Sequence, residues 1–247
     1  SQNPLGKKGG LMLVELLRVS PALLELLMAD TEANIDVLVS LAATLLTFES
    51  NLKVCDIQNP RINTLQEDHT IHLGRMLRVN THISELYLGK HKFRDDGIRQ
   101  LVDFLLENKV LRVLDLRCNE LGAEGAHHLG KLLASDCQLL SLNLNGNRIG
   151  EKGNSNGAKA LAEGLMNNTT LRHLDLNHNM LSGPALELLG AAVEQSRSLE
   201  VLELFHSHWD QASSYKFHQI LNHRSRALPL KADFVTSEVD LRIDICK

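Results

Sequence analysis

This sequence of 247 residues has few cysteines, and no two of them are closely spaced. Its four cysteines form no CxxC motif and no small-domain disulfide framework; they are Cys55, Cys118, Cys137 and Cys246. Disulfide scaffolds and structural zinc sites usually show cysteines at short, regular spacings. The cysteine usage therefore predicts reduced thiols in an intracellular protein.

An excess of positive charge is absent as well. The chain has 26 Lys and Arg residues against 30 Asp and Glu residues, which gives a net charge of -4. Proteins that bind nucleic acid or anionic membranes rely on basic surfaces for most of their affinity. The composition therefore gives no support for either as the main partner.

A long uninterrupted hydrophobic run is also missing. The most apolar stretch, Leu11–Met28, contains Glu15, Arg18 and Glu25 and is broken by Pro21. Each charge would be costly in the hydrocarbon core of a bilayer. No small-residue cleavage site of a signal peptide follows. We therefore predict a buried helix here, and neither a membrane span nor a secretory leader.

Catalytic and metal-binding patterns do not stand out. Among twelve histidines, adjacent His127 and His128 would point about 100° apart on a helix. The pair His206-x-His208 has no third ligand nearby in the sequence. The loop Gly150–Gly157 lacks the GxxxxGK[S/T] pattern, so it is interpreted as a surface insertion, with a contact loop as the alternative. We expect no catalytic residue, no cofactor and no metal.

What the sequence does contain is a repeated pattern, L-x-x-L-x-L-x-x-N-x-L. The stretch Leu111–Leu121 shows it in full, and further copies begin at Leu52, Ile83, Leu139, Leu171 and Leu199. The intervals between starts are 31, 28, 28, 32 and 28 residues. The x-L-x-L-x core predicts a short strand, and the helical spacing after it predicts a helix. Because one such unit cannot bury both its faces, the units must stack into a shared core.

An asparagine ends three of the predicted strands. These residues are Asn119, Asn147 and Asn179, and a buried amide there can hydrogen-bond the backbone of neighbouring turns. In the sixth copy Ser207 replaces the asparagine, and Trp209 replaces the following leucine. We therefore expect the sixth repeat to be less stable than the third.

These residues resemble the leucine-rich repeat, and the 28-residue pitch with a full helix resembles its ribonuclease-inhibitor subtype. The resemblance covers roughly Ile35 to Leu221. It implies an α/β fold: a curved solenoid with parallel strands on the concave face and helices on the convex face. True ribonuclease inhibitors are similar in pitch and acidity, but they are rich in cysteine and have more repeats.

The ends of the chain depart from the pattern. Residues 1–33 are predicted to form an N-terminal helical cap or a degenerate repeat, with helical character over residues 11–28. Residues 34–222 form the solenoid with six clear repeats, and residues 223–247 form a C-terminal cap. The alternation in Val239–Ile245 predicts a terminal strand. That strand could alternatively be an edge offered to a partner.

The outward positions between the leucines predict the concave surface. The middle position of the six repeats holds Asp56, Tyr87, Asp115, Asn143, Asp175 and Glu203. Because stacked strands lie about 4.8 Å apart, this column would be about 24 Å long. Glu85 and Phe205 occupy flanking columns, and Arg117 is the one arginine set against the acids.

Stacked carboxylates repel one another, so an acidic column suggests a binding role. We expect a protein partner to place a basic segment on this face, with Tyr87 and Phe205 as aromatic anchors. Asp115 and Asp175 are expected to contribute directly. The alternative is a solvated acidic face that only aids solubility.

The predicted function is a non-enzymatic interaction scaffold or regulatory subunit. The resemblance also covers subunits of large cytoskeletal and ciliary assemblies, which would imply a cytoplasmic location. The alternative is an activator of a small GTPase, because the GTPase-activating protein for Ran has the same repeat subtype and an acidic character. Arg94 lies between a predicted strand and helix, where an activating arginine could stand, although it could equally be a surface residue beside two acids.

Overall fold

Helices and strands alternate along the chain. The computed structural model describes residues 3–48, 50–62, 68–222, 230–239 and 242–246. The helices are α1 Gly6–Val19, α2 Ile35–Thr47, α3 Asp68–Val79, α4 Arg94–Leu105, α5 Ala123–Ala134, α6 Asn156–Asn167, α7 Gly183–Gln195 and α8 Gln211–Asn222. The strands of the main sheet are β1 Glu25–Leu27, β2 Val54–Asp56, β3 Glu85–Tyr87, β4 Val113–Asp115, β5 Ser141–Asn143, β6 His173–Asp175, β7 Val201–Glu203 and β8 Lys231–Ala232.

The main sheet is parallel throughout and follows chain order from β1 to β8. Its register aligns equivalent positions of successive repeats, so that Leu86 lies beside Leu114 and Leu114 beside Leu142. All three side chains are fully buried. Burying a leucine stabilises a fold by about 2 kcal/mol, and the leucine columns repeat that gain in every unit. The predicted α/β leucine-rich-repeat solenoid, with strands on the concave face and helices on the convex face, is confirmed.

The N-terminal part of the sheet corrects one expectation. Helical structure was predicted over residues 11–28, but α1 ends at Val19 and β1 pairs in parallel with β2. Residues 23–33 in fact follow the repeat template, with Thr31 in place of the asparagine. The Thr31 hydroxyl donates to the carbonyl of Met28 at 2.7 Å and so takes over part of the amide's role. A strand therefore forms here without the strand-ending asparagine.

The C-terminal end also differs from its prediction. The strand expected over Val239–Ile245 is two antiparallel strands, β9 Val235–Val239 and β10 Arg242–Cys246, and residues 240 and 241 lie outside the described part. This hairpin packs against α8. Before it, β8 continues the main sheet, and the carboxylate of Asp233 accepts from the backbone N–H groups of Leu204 and Phe205, both at 2.9 Å.

The described cysteines differ in burial. Cys55 takes a leucine position and is 1% exposed, and burial raises the pKa of its thiol to about 12. It is a core residue with little thiolate. Cys118 is half-buried, and Cys137 is buried.

A column of buried side-chain amides joins neighbouring turns. The Asn147 carbonyl oxygen accepts from the backbone N–H of Asn119 at 2.9 Å and of Leu121 at 3.1 Å. Its amide nitrogen donates to the carbonyls of Leu116 at 3.1 Å and Leu144 at 2.7 Å. One side chain thus satisfies four backbone groups in two repeats, which confirms the role predicted for the strand-ending asparagine.

A second column of amides lies before the strands and was not predicted. Asn108 accepts from the backbone N–H groups of Val110 at 2.9 Å and Leu111 at 2.8 Å, and donates to the carbonyl of Leu77 at 2.6 Å. Asn168 makes the equivalent bonds two repeats later. The turns at both ends of these strands are therefore held by side-chain amides.

Histidine replaces asparagine in the strand-ending column at His91. Its Nε2–H donates to the carbonyl of Ile57 at 2.8 Å, and its own backbone N–H donates to Asn119. The ring stacks on Phe93 and lies 5.6 Å from the ring of His69. Burial, together with the nearby His69, lowers the pKa of His91 to about 3, so the ring is neutral in the folded protein.

The sixth repeat lacks the strand-ending asparagine and has Ser207 in its place. The hydroxyl of Ser207 is shielded from solvent and has no hydrogen-bond partner within the described part of the chain. Unpaired buried polar groups are costly. We therefore expect the amide hydrogens of β7 to exchange faster than those of β4 in native-state hydrogen exchange. Equal protection of the two strands would contradict this prediction.

Acid should destabilise the fold through His91. The unfolded ring takes up a proton near pH 6.5, whereas the folded ring does so only near pH 3. The unfolded chain binds more protons between these values, so the free energy of unfolding falls as pH is lowered through this window. We expect His91→Asn to reduce the loss of stability between about pH 7 and about pH 5, measured by urea unfolding. His127→Asn, at an exposed position on α5, is the control and should keep the parent's pH dependence.

Candidate functional site

The concave face carries the predicted middle column in register. The strand pairing places Asp56 beside Tyr87, Tyr87 beside Asp115, and so on to Glu203. Leu27 of β1 extends the column by one residue before Asp56. The predicted site residues therefore do lie on one continuous surface, but their environments differ.

Asp115 is buried, which the sequence did not predict. It is 2% exposed, and its Oδ1 accepts from the backbone N–H of Arg117 at 2.9 Å. Its Oδ2 accepts from the Arg117 side chain, with the Nε atom at 2.7 Å, and from the Asn143 amide at 3.3 Å. The hydrogen bond with Asp115 raises the pKa of Arg117. The one arginine of the face is thus already paired inside the protein.

Asp175 is also buried, at 7% exposure. Its Oδ1 accepts from the backbone N–H of Asn177 at 2.9 Å, and its Oδ2 accepts from the Asn145 amide at 3.3 Å. Burial raises the pKa of this carboxyl. The same contact to the N–H two residues later occurs at Asp56 and Asn143. Asp and Asn favour this local turn, which accounts for four of the six residues in the middle column without any partner.

The C-terminal end of the face is aromatic and internally bonded. Glu203 accepts from the His173 ring at 2.8 Å and from the Asn177 amide at 2.9 Å. Phe205 is 38% exposed and lies against the rings of His178 and His206, with centroids at 5.5 Å and 4.3 Å. Phe205 is therefore at the surface, where an anchor residue would be expected.

The N-terminal end of the face holds carboxylates that have no cation beside them. Glu25 is exposed, and Asp56 and Glu85 are half-buried. Within the described residues, none of the three is ion-paired. Leu27 lies beside Asp56 and is 52% exposed. We call Glu25, Leu27, Asp56, Glu85 and Tyr87 the N-terminal concave patch.

Tyr87 is the aromatic residue of this patch. Its hydroxyl donates to Glu85 at 2.8 Å. Burial and the hydrogen bond with Glu85 raise the pKa of the phenol to about 12, so it stays protonated. Glu25 and Leu27 were not predicted as concave surface residues, because strand β1 was not predicted from the sequence. The match of Leu23, Leu26, Met28 and Ala33 to the template could have revealed them.

Arg94 is bonded to a neighbouring repeat. It is the first residue of α4, and its Nε donates to Glu120 at 3.3 Å. Asp95 and Asp96 follow Arg94 in the sequence. Asp95 does not pair with Arg94 but accepts from the backbone N–H groups of Gly122 at 2.7 Å and Gly125 at 2.9 Å. The guanidinium is therefore engaged across the repeat boundary.

The glycine-rich loop is a surface feature. Glu151–Gly153 form an exposed turn of 3₁₀ helix in the glycine-rich loop. Within the ranges that the structure describes, no three His, Cys, Asp or Glu side chains are grouped so that they could hold a metal ion. In the same ranges, no helix is long and apolar enough to cross a membrane.

The chain is similar to known leucine-rich repeat proteins. A family model described as "Leucine Rich repeat" matches residues 107–129 and 167–190. Leucine-rich repeat-containing protein 45 of Gallus gallus is 36% identical over 110 residues, which cover 44% of this chain and 16% of that protein. The ribonuclease inhibitor of Sus scrofa is 28% identical over 166 residues, which cover 56% of this chain and 36% of the inhibitor. The chain thus spans well under half the length of these relatives.

A solved structure of "Leiomodin-1 Actin-Binding Site 2 (ABS2)" is similar in fold. Its TM-score is 0.51 and its sequence identity 17%, and the match covers 62% of this chain and 86% of that chain. This likeness shows the fold alone. Sequence and structure together show a leucine-rich repeat protein of the ribonuclease-inhibitor-like type.

Asp115 should matter for stability because its carboxylate holds Arg117. We expect Asp115→Asn to lower the free energy of unfolding by about 2 kcal/mol, since it removes hydrogen bonds to a charged group. Asp56→Asn keeps the oxygen that accepts from Gln58 and loses no cation, so it should cost less than about 0.5 kcal/mol. Urea unfolding of both variants measures the difference. Equal losses would show that the Arg117 pair does not stabilise the fold.

Proposed function

We propose that this leucine-rich repeat protein of the ribonuclease-inhibitor-like type is a non-enzymatic interaction scaffold, and that its N-terminal concave patch binds a basic segment of a protein partner. The observation that carries the proposal is a contrast in charge pairing. Asp115 is paired with Arg117 and Glu203 is bonded to His173, whereas Asp56 and Glu85 form no ion pair among the described residues.

The geometry of the patch suits such a segment. Its three carboxylates lie on adjacent parallel strands. Glu25 and Glu85 both align with Val54, so they are two strand spacings, about 10 Å, apart. Asp56 lies two residues after Val54 on the strand between them and is a diagonal neighbour of both, about 8 Å away. A lysine or arginine placed between them would offset their repulsion and form charge-assisted hydrogen bonds. Leu27 and Tyr87 supply apolar and aromatic contact area next to the charges, as interface anchors do.

A longer partner would also reach the rest of the predicted surface. Phe205 lies four strands from Tyr87, which is about 19 Å away along the sheet. Arg117 and Asn143 lie between them, and Asp115 and Asp175 contribute by holding the turns in place. An extended segment could contact both ends of the face at once.

The broader setting is part of the proposal. The two curated relatives and the family model support a protein-binding role, and none of the three is described as an enzyme. Membership of a larger cytoskeletal or ciliary complex rests on the repeat family. The bond between Arg94 and Glu120 adds no support for the alternative, an activator of a small GTPase.

Neutralising the patch should weaken binding to a basic probe. We expect the triple variant Glu25→Gln, Asp56→Asn, Glu85→Gln to bind a fluorescent lysine-rich peptide at least about tenfold more weakly, with a smaller dependence on salt. Fluorescence anisotropy measures the dissociation constant. The control also neutralises three acids, Asp103→Asn, Glu107→Gln and Glu187→Gln. Asp103 lies on α4, Glu107 in the turn after α4 and Glu187 on α7, and all three are exposed. If both variants lose affinity equally, the peptide responds to net charge and the assignment to this patch fails.

A further inference from the structure

A polar pocket lies at the edge of the sheet where the strands begin, away from the N-terminal concave patch. Its volume is about 280 Å³. Arginines and hydroxyl-bearing residues dominate its lining: Arg112, Arg172, Arg197, Thr169, Thr170 and Ser198. Glu200 is the only carboxylate in the lining. Three guanidinium groups against one carboxylate leave the pocket with a local charge of about +2.

Arg112 is held in place without being neutralised. It is half-buried, and its NH1 donates to the backbone carbonyl of Gln138 at 2.9 Å and to the Gln138 side chain at 3.0 Å. No carboxylate among the described residues pairs with it. These bonds use one nitrogen of the guanidinium, so the others remain available to a ligand.

The other two arginines are free to respond to a ligand. Arg172 donates to Glu200 at 3.0 Å, but the Arg172 side chain is 62% exposed, so this pair is weak and open to competition. Arg197 is exposed and makes no ion pair or hydrogen bond within the described chain. Thr169 is exposed and Ser198 half-buried, and both can donate a hydroxyl proton to an anion.

We propose that this pocket binds a phosphate group carried on a serine or threonine of a partner peptide. A phosphate monoester carries about -1.5 to -2 charges at neutral pH, which matches the local charge of the pocket. Its tetrahedral oxygens can accept from guanidinium and hydroxyl donors that approach from several directions, as these residues do.

A neighbouring groove provides the reason for a peptide as the carrier. This groove has a volume of about 470 Å³ and shares Thr169 and Arg197 with the pocket. It continues past Met166, Asn168 and Gln195. The residues that flank a phosphorylated side chain would lie along this groove. The pocket is opposite in charge to the N-terminal concave patch, and the inference does not depend on the proposed function.

The test compares a phosphoserine peptide with its unphosphorylated form. The probe is a fluorescein-labelled alanine–glycine peptide with one central phosphoserine, and fluorescence anisotropy measures its dissociation constant. We expect the unphosphorylated peptide to bind at least about tenfold more weakly. Each of Arg112→Gln, Arg172→Gln and Arg197→Gln should weaken phosphopeptide binding about tenfold, and Glu200→Gln should strengthen it.

The control is Arg148→Gln, which removes an exposed arginine without an ion pair from the turn after β5, at the opposite end of the strands. It should bind the phosphopeptide as the parent protein does. Arg197→Gln removes no ion pair and no side-chain hydrogen bond within the described chain, so a loss of binding would not come from lost intramolecular bonds. Undiminished binding by Arg197→Gln and Arg112→Gln, or an equal loss in Arg148→Gln, would overturn the proposal. Inorganic phosphate that binds as tightly as the phosphopeptide would overturn the peptide as the carrier.

Discussion

The turns of this solenoid bury backbone groups that the strands cannot pair, and in the central repeats side-chain amides supply the missing partners. Asn147 bonds to four backbone groups in two repeats, and Asn108 plays the corresponding part before a strand. The leucine columns provide most of the hydrophobic stabilisation, but they do not by themselves fix one turn on the next. The positions of the strands, and so of every concave side chain, depend on these amide bonds.

The same requirement shapes the concave surface. In several repeats the middle position accepts from the backbone N–H two residues later, which favours Asp or Asn for purely local reasons. Most of the acidic character therefore has a structural origin. What remains available for recognition is set by the neighbours: Arg117 offsets the charge of Asp115, while Glu85 has only the Tyr87 hydroxyl beside it.

The sequence predicted the interior of the array better than its ends or its surface. A nearly constant pitch and four apolar columns identify the fold, because every repeat must place the same four positions in the shared core. The strand at Glu25–Leu27 was missed because the apolar run Leu11–Met28 was interpreted as one helix. The burial of Asp115 could not be predicted, because the sequence does not reveal that the backbone N–H of Arg117 donates to its carboxylate. The arginine pocket escaped notice because Arg112 and Arg197 meet only when four repeats are stacked.

The pairing of Asp115 with Arg117 has a consequence for how such a protein can change over generations. At Glu85 or Phe205, a substitution alters what a partner meets and leaves the turns intact, so new preferences can be explored with little risk to the fold. In the middle column, a residue that suits a partner must also complete its own turn. Adaptation should therefore be fast in the flanking columns and slow in the middle one, even though all three lie on the concave face.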